Sequence, residues 1–160
     1  EKILKIYGEV DNARRIAQLI VAGRGAGEIR TTGELDKVLE PALPDFASHK
    51  ILAKIYQALR IEVNHEMRSL EKFLDGAAES LKEGGRLAVI TYHSLEDRMV
   101  KNFIKSGNIH GDISKDFYGN VLAPLKSLTR KPVLPQESEI AANTRARSAK
   151  LRVAEKEASE

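Results

Sequence analysis

Apolar positions return at three- and four-residue intervals through the first half of the chain. Val10, Ala13, Ile16, Ala17, Ile20 and Val21 form one such stripe, the mark of an amphipathic helix. Ile3, Leu4 and Ile6 precede it, and Gly23 is placed to stop it. Thr31 with Glu34 makes a capping box, in which a hydroxyl and a carboxylate each take a backbone N–H of the other's residue. A short helix over about residues 32–39 should follow, and Pro41 and Pro44 punctuate the next connection. The strongest helical signal covers residues 49–81. Leu52, Tyr56, Leu59, Val63, Met67, Leu70, Leu74, Ala78 and Leu81 keep the spacing, with no Gly or Pro before Gly76. This predicts one long helix, or two with a small break.

At Gly84-Gly85 the period changes. Residues 86–92 form a short apolar, β-branched run after a glycine turn, which predicts a strand buried on both faces, as in a parallel sheet. A helix should start at Ser94, with Ser94 as the N-cap and Asp97 at the box position. Val100, Phe103 and Ile104 give it a small apolar face. Residues 107–119 are polar and Gly-rich and predict a mobile loop. Residues 128–134 could form a strand, held to an edge by Pro132. Residues 135–143 predict a helical turn, and the alternation over 147–155 predicts a final strand with Ala149, Leu151 and Val153 on one face. Helix, glycine turn, buried strand and capped helix are half of an α/β unit, so the fold class is α/β.

Composition narrows the chemistry. Of 160 residues, 42% are hydrophobic and 31% charged, which suits a packed core rather than a disordered chain. There is no cysteine, which excludes a disulfide scaffold, a thiolate metal site and a thiol nucleophile. Apolar runs are too short to span a membrane, so a cytoplasmic location is the default expectation. The net charge of +3 is unevenly spread: residues 84–160 carry +4 and residues 1–83 carry −1. This slightly favours a polyanionic partner. The chain opens on Glu1 inside a helical pattern and is expected to be a piece of something longer.

Several residues could carry function. Residues 23–27 match G-x-G-x-G, but they follow a helix rather than a strand, so a phosphate cradle fails the context test and a flexible turn is the better reading. Gln57, Arg60, Asn64 and Arg68 form a second stripe beside the apolar face of the long helix. They could hydrogen-bond bases and phosphates, or simply be a solvated face. His93-Ser94 lies where the buried strand ends, the place where open α/β sheets bind ligands. The pair could face a substrate, supported by Asp97, or could merely cap and orient the helix. Arg145, Arg147, Lys150 and Arg152 form a basic cluster, with Ser148, Lys150 and Arg152 on one strand face. A phosphate-binding edge and a lysine-protected edge strand both fit. No His, Asp and Glu group has metal-ligand spacing, so no metal is expected.

Taken together these segments resemble a known family. Tyr7-Gly8-Glu9, then Ala13-Arg14-Arg15-Ile16-Ala17, Thr31-Thr32-Gly33-Glu34-Leu35 and the run from Tyr56 to Asn64 come in order. They are followed by Gly84 to Arg98 with His93-Ser94-Leu95-Glu96-Asp97-Arg98, by Thr129-Arg130-Lys131-Pro132, and by Glu139 to Arg152 with its Arg145-Ala146-Arg147-Ser148-Ala149-Lys150-Leu151-Arg152 ending. Nearly the whole chain resembles the bacterial 16S ribosomal RNA cytosine-N4 methyltransferase family (RsmH/MraW). Thr91-Tyr92 stands where Ser-Phe is commoner.

The resemblance implies a helical insertion subdomain, residues 1–65, facing RNA, and the C-terminal part of a class I, Rossmann-like methyltransferase sheet, residues 66–160. It implies methyl transfer from S-adenosylmethionine to N4 of a cytidine, with 16S rRNA and the small ribosomal subunit as partners. No cofactor-binding position matches, so this chain alone is expected to bind no cofactor and to be inactive. Gln57, Arg60, Asn64, Arg145, Arg147 and Lys150 are the RNA-binding candidates, and His93, Ser94 and Asp97 the substrate-side supports. A sheet edge left open favours self-association, as a homodimer. The alternative is a non-catalytic RNA-binding module of the same descent.

Overall fold

The computed structural model describes residues 1–157. They form two compact units, residues 1–66 and, from Met67 on, residues 67–157. Among the described residues no helix is long and apolar enough to cross a membrane.

The first unit is helical: α1 (Lys2–Ile6), α2 (Ala13–Ala26), α3 (Thr32–Leu39) with a 3₁₀ turn at Glu40–Ala42, and α4 (Ser48–Val63). Its core is Leu4, Val10, Ala13, Ile16, Leu39, Ile55 and Ala58, all buried. The capping box at α3 forms as the spacing predicts: Thr31 Oγ1 accepts from Glu34 N at 3.2 Å, and Glu34 Oε2 accepts from Thr31 N at 2.9 Å. Two expectations fail here. Gly23 does not end α2, which runs on to Ala26. Gly23 is instead a contact point, where a Cβ would come within 2.8 Å of the Val38 side chain. Nor is the predicted stripe the buried one on α4. Ile55, Ala58 and Ile61 are buried while Val63 is 75% exposed. Two apolar stripes lie side by side on this helix, and spacing alone does not choose between them.

The turn 7–9 is strapped to α4. Gln57 Nε2 donates to the Tyr7 carbonyl at 3.1 Å and Lys54 Nζ to the Glu9 carbonyl at 3.1 Å. Glu9 sits at φ 48°, a left-handed conformation that costs a non-glycine residue about 1 kcal/mol or more. Gly8 is required by crowding, because a Cβ there would lie 2.8 Å from the Leu4 carbonyl and 2.9 Å from the Lys54 carbonyl.

The long helical signal is two helices. α4 ends at Val63 with Asn64 as its C-cap, and α5 (Glu66–Ser80) begins after His65 at φ 51°. The break is there and not at Gly76, which lies within α5.

The second unit adds β1 (Arg86–Thr91), α6 (Ser94–Ser106), β2 (Leu125–Ser127), α7 (Glu137–Ala142), a 3₁₀ turn at Thr144–Ser148 and β3 (Lys150–Lys156). The strand order is β1-β3-β2, with β3 antiparallel to both neighbours. Leu87, Val89 and Ala154 face Leu74 and Ala78 of α5 and Val100, Phe103 and Ile104 of α6.

β1 forms where predicted but has no parallel partner among the described residues, and only one of its faces is buried. Leu87, Val89 and Thr91 alternate with exposed Arg86, Ala88 and Ile90. The strand is apolar on both faces, yet a single helical layer covers it here. Residues 128–134 do not form the predicted strand. Pro132 has no N–H to give, and the segment follows β3 through a Val133–Leu151 bridge and through Thr129 Oγ1, which accepts from Val153 N at 3.1 Å. The last strand begins at Lys150, not 147, because residues 144–148 turn as 3₁₀ under an Asn143 cap. Ser148 and Ala149 therefore lie outside the strand faces assigned to them.

Gly8→Ala is expected to lower the urea midpoint of the first unit by more than Thr31→Ala, whose lost cap costs about 1 kcal/mol. Gly33→Ala, with open space around it in α3, should be neutral or stabilising by up to about 1 kcal/mol. Circular-dichroism unfolding curves of the three variants check the order.

Candidate functional site

The junction between β1 and α6 is built by local rules. β1 is held by β3 as far as the Thr91–Lys150 pair, and the chain then turns into α6. His93, not Ser94, is the N-cap: it is extended at φ −139°, and its Nδ1 accepts from Glu96 N at 3.4 Å. Ser94 is thus the first helical residue, and the box position three after the cap falls on Glu96 rather than Asp97. Glu96 Oε2 reaches back to accept from Tyr92 N at 3.0 Å. An imidazole nitrogen can do what a cap hydroxyl does, so the motif is shifted by one residue from its common form.

His93 Nε2 lies 3.2 Å from Glu96 Oε1, close enough to pair when the ring is protonated but not aligned as a hydrogen bond. The imidazole first, and the Tyr92 N–H with it, hold the Glu96 carboxyl below its ordinary range against the opposing effect of burial. An anionic Glu96 in the first turn also suits the helix dipole.

Asp97, released from capping, points at the last strand. Arg152 Nε meets Asp97 Oδ1 at 2.8 Å and Arg152 Nη2 meets Oδ2 at 3.0 Å, a two-pronged pair in which both side chains are about nine-tenths buried. Lys150 Nζ adds a third contact at 3.7 Å. The Arg152 guanidinium, more than burial opposes it, holds the Asp97 carboxyl below the usual carboxylate range. The alternation of β3 explains the meeting. Lys150, Arg152, Ala154 and Lys156 share the face that looks onto the helices. Lys156 Nζ donates to the Ala78 carbonyl of α5 on the same face. The charges read as a solvent edge are partly interior, with stems packed and heads paired.

The remaining candidates divide. Arg145 and Arg147 lie exposed on the 3₁₀ turn, anchored by Asn143 Oδ1, which accepts from Arg145 N at 3.2 Å. Lys150 is half-exposed beside Asp97. Ser94 is exposed at the junction. In the other unit, Gln57 is occupied by the Tyr7 carbonyl. Arg60 grips Glu66 through Nε at 2.8 Å and Nη2 at 3.1 Å, and Asn64 Nδ2 reaches the same carboxylate at 3.3 Å. The stripe is therefore neither a plain solvated face nor a row of unoccupied donors. Sequence spacing missed Glu66, the acceptor that gathers Arg60 and Asn64. It also missed Arg152 as the partner of Asp97, a pairing across 55 positions that no local pattern announces.

A model of the MraW methylase family matches residues 1–157. The chain is 51% identical over 154 residues to a protein named Ribosomal RNA small subunit methyltransferase H from Bacteroides thetaiotaomicron, covering 96% of this chain and 51% of that one. It is 53% identical over 150 residues to the protein of that name from Flavobacterium johnsoniae, covering 94% of this chain and 49% of the other. The chain spans about half the length of the curated relatives it matches.

The Asp97 contribution to stability has a defined pH course. Its folded pKa is depressed, so the stabilisation is complete above the unfolded value of about 3.9 and is lost as pH falls through the lower folded value. Arg152→Ala, which leaves Asp97 with only Lys150, is expected to cost roughly 3 kcal/mol at pH 7. Asp97→Asn should flatten the acid limb of stability. Urea midpoints of both variants at pH 7 and pH 3 check this.

Proposed function

The chain belongs to the MraW methylase family, and from that premise we propose that the complete protein methylates the exocyclic N4 of a cytidine in 16S ribosomal RNA. The methyl donor on this reading is S-adenosylmethionine. Support comes from relatives named as small-subunit rRNA methyltransferases over nearly all of this chain. The observation that carries the reading is the locked β1–α6 junction, with its cap, its back-reaching carboxylate and its Arg152 brace. Such a junction holds side chains beyond a strand end at fixed positions, which is what in-line group transfer demands.

The described residues do not fit the donor. The Gly-rich run 23–27 is spent in α2 and its cap, where Gly27 N donates to the Gly23 carbonyl. No Gly-rich turn after a strand is present among them. The donor site is, on this reading, formed by residues outside this chain. On this reading the three-stranded sheet is the C-terminal part of a larger Rossmann-like sheet. Residues 1–65 form the helical insertion, and the cytoplasm is the site of action.

What this chain's residues do is bind and orient. The N4 lone pair of cytosine is shared with the ring, so the amino group must be held and its N–H groups given acceptors as charge develops. Ser94, exposed at the junction, is the substrate-facing candidate. His93 and Asp97 act through the helix start, as positioning residues. Arg145, Arg147 and Lys150 contribute phosphate contacts, and Arg60 and Asn64 contribute to the RNA-facing surface of the insertion. Among the described residues β1 pairs on one side, leaving an edge through which two copies of the isolated chain would associate.

The complete protein, incubated with small ribosomal subunits and isotopically labelled S-adenosylmethionine, should yield N4-methylcytidine on nucleoside digestion and mass spectrometry. Label on another nucleoside, or none, would overturn the assignment. The isolated chain should give no heat with S-adenosylmethionine in calorimetry. Arg145→Ala with Arg147→Ala in the complete protein should weaken RNA binding and reduce the salt slope by roughly one to two.

A further inference from the structure

Two aromatic side chains stand in water on a stiff support. Phe117 is 99% exposed and Tyr118 86% exposed, and their rings meet edge to face at 5.8 Å. They sit on a tight turn closed by a Lys115–Val121 bridge. Asp116 organises it: Oδ1 accepts from Tyr118 N at 2.9 Å and Asn120 N at 2.8 Å, and Oδ2 accepts from Asn120 Nδ2 at 2.9 Å. Gly119 supplies the left-handed residue the turn needs, at φ 90°. The order of the tip thus comes from its backbone and one carboxylate, and burial of the rings contributes nothing to it. Large apolar surface held out this way marks a contact site.

Beside the tip runs an open groove of about 1320 Å³, whose walls include Lys101 and Lys105 of α6, Lys126 of β2 and Arg130. Lys101, Lys105 and Arg130 have no hydrogen-bond or ion-pair partner among the described residues. Lys126 meets Glu157 at 3.4 Å between exposed side chains. Lys101 and Lys105 are four apart on one helical face, an arrangement that repels unless an anion lies between. Four carboxylates also line the groove: Asp116 is engaged in the turn, Glu155 on Arg86 at 3.0 Å and Glu157 on Lys126 at 3.4 Å, while Glu83 stands at the Gly84 end.

We infer that the 115–121 turn and this groove bind a single-stranded RNA segment, bases stacking on Phe117 and Tyr118 and phosphates lying along Lys101, Lys105, Lys126 and Arg130. Stacking platforms beside a cationic track are how unpaired strands are held without a fixed sequence. A protein partner would suit the aromatics but not the unneutralised cations. The groove reaches Gly84 and Lys156, at the ends of β1 and β3 remote from His93. The segment is therefore a flanking one, separate from the nucleotide modified. This inference rests on the reading that the protein acts on RNA.

Fluorescence polarisation of an unstructured, labelled 12-mer RNA with the complete protein, over a salt series, tests it. Phe117→Ala with Tyr118→Ala should weaken binding about tenfold or more, with the salt slope and the melting temperature unchanged. Lys101→Gln with Lys105→Gln should lower the slope by roughly 1.4. Wild-type affinity in both variants, with loss in the Arg145→Ala/Arg147→Ala protein, would overturn this surface and leave the RNA reading standing. No binding by the wild type at low salt would overturn both. A change only in sedimentation of the aromatic variant would assign the tip to protein contact and overturn the inference.

Discussion

The pairing of Asp97 with Arg152 is the constraint on which the second unit depends. One carboxylate in the first turn of α6 and one guanidinium on β3 meet with two parallel hydrogen bonds, mostly out of water. Each ion alone would be expensive there, and together they fix both the rotation of α6 and the register of the strand beneath it. Because β3 also carries β1 in register, the position of Ser94 relative to the sheet follows from the same pair. Lys150 and Lys156 extend the arrangement along the strand, one towards the carboxylate and the other to the Ala78 carbonyl of α5.

Much of the fold was legible in the sequence where the signal is local. The Thr31–Glu34 box, the limits of α3, the glycine turn before β1 and the short α7 all follow from neighbours within four positions. Faces were less legible. On β3 the alternation was evident, with Leu151 and Val153 on one face and Lys150 and Arg152 on the other, but not which face the helices would cover. The helices cover the face carrying Arg152 and Ala154, because a long basic stem packs as well as an aliphatic one once its head has a partner. On α4 two apolar stripes competed. The difference between them is which neighbours arrive, and that is not written in a single helix.

The candidate site shows the same division. His93-Ser94 was placed correctly at a strand end, while the roles were displaced by one residue because imidazole is an unusual cap. The stripe of Gln57, Arg60 and Asn64 was visible, but its acceptors, the Tyr7 carbonyl and Glu66, were not. Gln57 is a clear case of a polar residue whose first task is to hold a strained turn. Glu9 holds a left-handed conformation while α4 takes hold of the carbonyls on either side of Gly8.

The strand order carries a consequence for how this unit comes into being. Among the described residues β1 and β2 are not paired with each other. Each of them pairs with β3, which follows both along the chain. The β1–β3 and β2–β3 ladders can therefore close only once residues 150–156 have been made. The middle strand is the latch of this sheet, and losing it would deprive both neighbours of these hydrogen bonds at once.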